Sequence, residues 1–175
     1  MNLLRKIWGI VIAAIISSCH SGTFDTISPD GTLKVGVVTT KDGDYGKAAF
    51  VVHYKGDSIL FRSELGLETD AQKFAGNLRL KSVSEPKSVI DDYKMITGKR
   101  SHCVNEASER VYSLENDEGQ ILEVTFRVYN DGIAFKYGLK AISDEEHIIN
   151  EYTAYALPKG SKRWIQQYDP GYEKF

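Results

Sequence analysis

The sequence predicts an all-β protein, an antiparallel β-sandwich, and three observations carry that expectation. Apolar and polar residues alternate with period two through most of the chain. Turn residues recur at short intervals between the alternating runs, and no apolar stripe of helical spacing runs longer than about three turns. Of 175 residues, 42% are hydrophobic and 26% charged, with 15 Gly and 4 Pro. That balance excludes collagen-like, low-complexity and disordered chains and points to one buried core.

The first segment reads as an export signal. Arg5 and Lys6 precede the apolar or small run Ile7 to Ile16. That run is too short to cross a hydrocarbon core, which needs about 20 residues, but it suits the n- and h-regions of a secretory leader. Residues 1–18 are thus expected to leave and the chain to be exported, in a Gram-negative cell to the periplasm or outer membrane. Ile16-Ser17-Ser18-Cys19 matches a lipobox, making Cys19 a candidate lipidation site and the route to a membrane; the alternative is an ordinary leader with an incidental cysteine. Residues 19–26 form a polar tether. The leader removed, one domain's length remains. Net charge is -2, and loss of Arg5 and Lys6 makes it more acidic, which argues against nucleic acid.

The strands follow in order. Leu33, Val35 and Val37 alternate with Lys34 and Gly36; Ala48 to Tyr54 reaches a Lys55-Gly56-Asp57 turn before Ile59, Leu60 and Phe61. Asp70 to Ala75 is the one short helical candidate. Arg110 to Leu114 leads through Asn116-Asp117-Glu118-Gly119 into a strand from Ile121. There Leu122, Val124, Phe126 and Val128 share one face, with Glu123, Thr125, Arg127 and Tyr129 on the other. Asn130-Asp131-Gly132 offers residues that tolerate positive φ, and Ile133, Phe135, Tyr137 and Leu139 resume the apolar face, completing the clearest hairpin.

Few residues suggest chemistry alone. With Cys19 acylated, only Cys103 remains, so no internal disulfide forms, and a lone cysteine without a motif reads as a small buried hydrophobe. His53, His102 and His147 lack metal-ligand spacing. Neither a phosphate-cradling glycine loop nor a Gly-x-Ser-x-Gly elbow is present. Glu115, Asp117 and Glu118, like Asp144, Glu145 and Glu146, read as surface charges.

Several segments together resemble the N-terminal domain of glycoside hydrolase family 97, which includes bacterial α-glucosidases and α-galactosidases. Ser28-Pro29-Asp30-Gly31 is similar to the family's opening turn, Ser63 to Glu68 to its next landmark, and Gly98 to Glu106 to its basic loop. Phe126 to Phe135 resembles its hairpin almost residue for residue, and Trp164 to Glu173 its aromatic segment. The resemblance spans residues 27–175 and implies a galactose-mutarotase-like super-sandwich packed against a catalytic (β/α)₈ barrel. Since the sequence ends at Phe175, the sandwich is expected to be incomplete at its C-terminus and the barrel absent.

That implication sets the site expectations. Glycoside cleavage needs two carboxyl groups about 5 to 9.5 Å apart, and the family's pair comes from the barrel, so no catalytic residue is assigned here. Glu173 corresponds to a glutamate that joins barrel glutamates around Ca²⁺, a cation of six to eight oxygen ligands. Trp164, Tyr168 and Tyr172 are candidate contacts to α-glucosides or α-galactosides, although core packing explains such aromatics equally well. Lys99, Arg100 and His102 form a basic loop, either solvated or facing a domain interface. Two other outcomes remain, a stand-alone lipid-anchored carbohydrate-binding module and a gene fragment without function.

Overall fold

The computed structural model describes residues 25–40 and 45–165. These contain twelve strands: β1 (Thr26–Ile27), β2 (Leu33–Thr39), β3 (Ala48–Tyr54), β4 (Asp57–Leu65), β5 (Leu67–Thr69), β6 (Lys73–Phe74), β7 (Leu78–Val83), β8 (Lys87–Lys94), β9 (His102–Asn116), β10 (Ile121–Tyr129), β11 (Ile133–Leu139) and β12 (Ile148–Glu151). All strand pairs are antiparallel. One sheet runs β1-β2-β3-β4; a second runs β11-β10-β9, with β7 and β8 both on β9; a third runs β12-β5-β6.

The first two sheets face each other across one core. Val35, Val37, Phe50 and Val52 line one side, and Leu114, Leu122, Val124 and Phe126 line the other. The alternation read in β10 is that of burial, with even-numbered residues inside. Phe50 and Phe126 meet across the gap with ring centroids 5.6 Å apart, and Tyr112 abuts Phe126 edge-on at 5.8 Å. Each such ring contributes about 1.5–3 kcal/mol through burial.

The turns explain the register. Tyr54 pairs with Asp57 across Lys55 and Gly56, whose φ values of 50° and 93° suit a two-residue primed turn. The Asn130-Asp131-Gly132 turn uses no positive φ; Tyr129 N donates to Gly132 O at 2.8 Å instead. Asn130 has another task, since its Oδ1 accepts from Asp30 N at 3.0 Å. The two turns singled out from sequence, 28–31 and 130–132, are therefore joined.

The predicted helix at Asp70 to Ala75 does not form. Thr69 N donates to Gln72 O at 2.8 Å, and Thr69 Oγ1 accepts from Gln72 N at 2.7 Å and from Ala71 N at 3.2 Å, closing a tight turn in place of a helix. The chain turns back, and Phe74 pairs with Leu67.

β7 and β8 run end to end along one edge of β9, separated by Ser84, Glu85 and Pro86. At this joint Ser84 N donates to Val111 O at 2.9 Å, and Val111 N is answered by the Ser84 hydroxyl at 3.0 Å. β10 reaches only as far as Ala107 along β9, so beyond that point β8 and β9 form a two-stranded arm ending at residues 95–101.

Candidate functional site

Trp164 follows the turn closed by Ser161 N on Pro158 O and stands 90% exposed, its indole lying outside the core. Tyr168, Tyr172, Glu173 and Cys19 lie outside the described residues. Lys99 and Arg100 are exposed at the tip of the arm, and His102 Nε2 meets Asp92 Oδ1 at 2.6 Å beside them. Cys103 is half-buried rather than a core residue. It pairs with Tyr93 across the arm, and its thiol is the main influence pushing the Tyr93 phenol up. Among the described residues no group of three or more His, Cys, Asp and Glu side chains is placed to hold a metal.

A cleft of about 260 Å³ opens where the first and third sheets meet, and periodicity gave no signal of it. Lys47, Glu64, Lys73 and Tyr152 line it. Lys47 Nζ lies 2.7 Å from Glu64 Oε1 and Lys73 Nζ 3.0 Å from Glu68 Oε1, while the Tyr152 hydroxyl donates to Glu68 Oε2. That phenolic hydrogen bond is the leading reason the Glu68 carboxyl sits below its ordinary range. Gly66 makes the junction possible, because a Cβ there would lie 2.6 Å from Phe74 O and 3.2 Å from Tyr152 Cβ. Two ammonium groups, a carboxylate and a phenol ring in so small a cleft supply the donors, acceptors and flat apolar face that sugar hydroxyls and ring faces require.

A second polar cluster lies on the outer face of the second sheet. Arg127 Nε reaches Glu109 Oε2 at 2.6 Å and Nη1 reaches Asp91 Oδ1 at 3.1 Å; the Tyr129 hydroxyl donates to Asp91 Oδ2 at 2.7 Å. These bonds tie β8, β9 and β10 together at the base of the arm. Hydrogen bonding to Asp91 pushes the Tyr129 phenol up.

Two acids read as surface charges are held in the fold. Glu115 is only 8% exposed, gripped by Arg79 and by Lys81 Nζ at 2.5 Å, both from β7. Glu146 accepts from Thr69 Oγ1 at 2.6 Å, Gln72 Nε2 at 2.8 Å and Ile142 N at 2.6 Å. Glu68, Glu115 and Glu146 all sit below the ordinary carboxyl range. A general acid needs a pKa near the working pH, so these three are anionic anchors.

Residues 27–175 match the family described as Glycosyl-hydrolase 97 N-terminal. The chain belongs to that family. A probable retaining alpha-galactosidase of Streptomyces bingchenggensis is 28% identical over 95% of this chain and 27% of its own length. The crystal structure of a beta-arabinopyranosidase superposes with a TM-score of 0.69 at 29% identity, over 77% of this chain and 21% of its own. A glycoside hydrolase family 97 enzyme from Pseudoalteromonas sp. strain K8, in complex with panose, has a TM-score of 0.67 at 20% identity, over 77% of this chain and 20% of its own. This family 97 N-terminal domain thus spans about a quarter of the curated relative's length. Its all-β, antiparallel architecture agrees with the sandwich read from the sequence.

Proposed function

We propose that this family 97 domain is the non-catalytic, carbohydrate-facing half of a glycoside hydrolase acting on α-glucosides or α-galactosides. The observation that carries the reading is the family match over residues 27–175, which includes the aromatic segment from Trp164. Sugar rings would stack on Trp164 and, further along, on Tyr168 and Tyr172. The acid and base, two carboxyl groups about 5 to 9.5 Å apart, would come from a (β/α)₈ barrel.

Glu173 supplies a carboxylate of the kind Ca²⁺ prefers, but one carboxylate does not satisfy six to eight oxygen positions. In this reading Glu173 would be one ligand of a calcium site whose other ligands are barrel glutamates. Bound there, the ion would neutralise crowded acids near the substrate. The reading also includes export, with Cys19 as the lipid anchor; intact mass of the membrane fraction would carry the added acyl chains, and an unmodified Cys19 would remove that part.

The decisive experiment is calorimetric titration of the purified chain with maltooligosaccharides and with galactosides. The expected result is saturable heat in the millimolar range that Trp164→Ala diminishes. Flat heats with both sugar classes would remove carbohydrate binding by this chain.

A further inference from the structure

Two exposed surfaces at opposite ends of this chain are complementary in charge and both carry bare apolar side chains. The first is the tip of the β8–β9 arm, where Lys94, Lys99 and Arg100 flank Met95 and the fully exposed Ile96 along the chain. No acid occurs between Asp92 and Glu106. The second surface follows β11, where the exposed acids Asp144, Glu145 and Glu151 alternate along the chain with the exposed Ile142, Ile148 and Ile149. No lysine or arginine occurs between Lys140 and Lys159.

The fold keeps these surfaces apart within one molecule. Ile142 shares a hollow with Gly119, Gln120 and Lys140, at the C-terminal end of β9, whereas the arm tip lies beyond its N-terminal end. A strand of 15 residues spans roughly 50 Å at about 3.3 Å per residue, so the tip of a copy does not reach its own acidic surface. The tip is basic, the 141–158 stretch carries acids and no lysine or arginine, and both are apolar-centred and exposed, which is the pattern of a recognition surface rather than of scattered side chains. A two-stranded arm is marginal in water when nothing covers it, so docking would also stabilise it.

We propose that the basic arm tip of one copy docks on the Ile142–Glu151 surface of a second copy. The contact is heterologous, head to tail, so each docked copy still offers one free tip and one free acidic surface. Association then continues into short chains or a ring, and it weakens as salt screens the charges.

Sedimentation velocity of the purified, leader-free protein over a dilution series tests this. The expected result is a mass that climbs with concentration at low salt and returns to monomer near 1 M salt, where the Debye length is about 3 Å. Lys99→Glu with Arg100→Glu should weaken association at least about tenfold, as should Asp144→Lys with Glu145→Lys. An equimolar mixture of the two reversed proteins should associate again, since each then offers the other a matched pair. Melting curves like the wild type's show that the variants are folded, and Ile96→Ser supplies a milder change at the tip. A monomer at every concentration would overturn the proposal. So would association that persists through high salt and both reversals, the behaviour of unspecific strand-edge pairing, or a mixture that fails to restore it.

Discussion

Tyr112 and Thr26, 86 residues apart in sequence, meet in the buried interior with their hydroxyl oxygens 2.8 Å apart. The contact fastens β9 to β1, and burial pushes the Tyr112 phenol up. Tyr112→Phe leaves the Thr26 hydroxyl without this partner, which is expected to lower stability by about 1–2 kcal/mol. Urea unfolding reads it as a lower midpoint at unchanged slope, and Thr26→Val in the same background should recover part of the loss.

Phe126 is fully buried against Phe50, Tyr112 and Phe135. Phe126→Ala is expected to cost about 3–5 kcal/mol through lost burial and the cavity left behind. Ile59→Ala, at a side chain already 42% exposed, should stay within about 0.5 kcal/mol. Thermal unfolding of the pair gives the comparison, and equal losses would contradict a core placed between the first two sheets.

Glu115 sits below its ordinary carboxyl range, chiefly because of the hydrogen bond from Lys81 and then that from Arg79. A carboxyl group lowered by folding stabilises the native state above its unfolded value, and that contribution disappears as pH falls through the folded one. Acid unfolding should therefore show Glu115 as a contributor below about pH 4.5, its ordinary value. Glu115→Gln is expected to flatten the acid limb of the stability–pH curve, most visibly at low salt. An unchanged limb would mean that the two cations release Glu115 without consequence.

Gly66 and Gly36 both have a near neighbour where a Cβ would stand, at 2.6 Å in each case. At Gly66 that neighbour is the Phe74 carbonyl, a backbone atom within the β5–β6 junction; at Gly36 it is the Asp25 carboxylate, the end of a side chain. Gly66→Ala is expected to cost about 1–3 kcal/mol, whereas Asp25 can swing away from Gly36→Ala at smaller cost. Differential scanning calorimetry orders the two, and a larger loss at Gly36 would reverse the argument.

The parts legible in the sequence were those fixed by near neighbours. Period-two alternation identified β10 and β11, and Lys55-Gly56 marked the β3–β4 turn, since a strand and its hairpin partner lie within a few residues of each other. Glu115 was misread because its cations, Arg79 and Lys81, arrive from a strand some 35 residues earlier, and nothing local announces them. The 70–75 segment was misread because Phe74 and Lys73 pair back on Leu67 and Glu68, outside it, through a turn closed by Thr69 N on Gln72 O. The cleft at Tyr152 needed three separate strands to exist and had no local signal. Of the aromatic candidates, Trp164 alone falls among the described residues, and it lies on the surface rather than in the core.

The Ser84 joint between β7 and β8 has a mechanical consequence. A side-chain hydroxyl stands in for a main-chain acceptor at Val111, and Pro86 contributes no donor of its own. Past this joint β8 is fastened to the sandwich through Asp91, held by Arg127 and Tyr129 of β10, so the outer hairpin can fray only beyond that knot. Proteolytic nicking at residues 95–101 should peel the strip back to Asp91 and stop there, leaving amides from β10 as slow to exchange with deuterium as before.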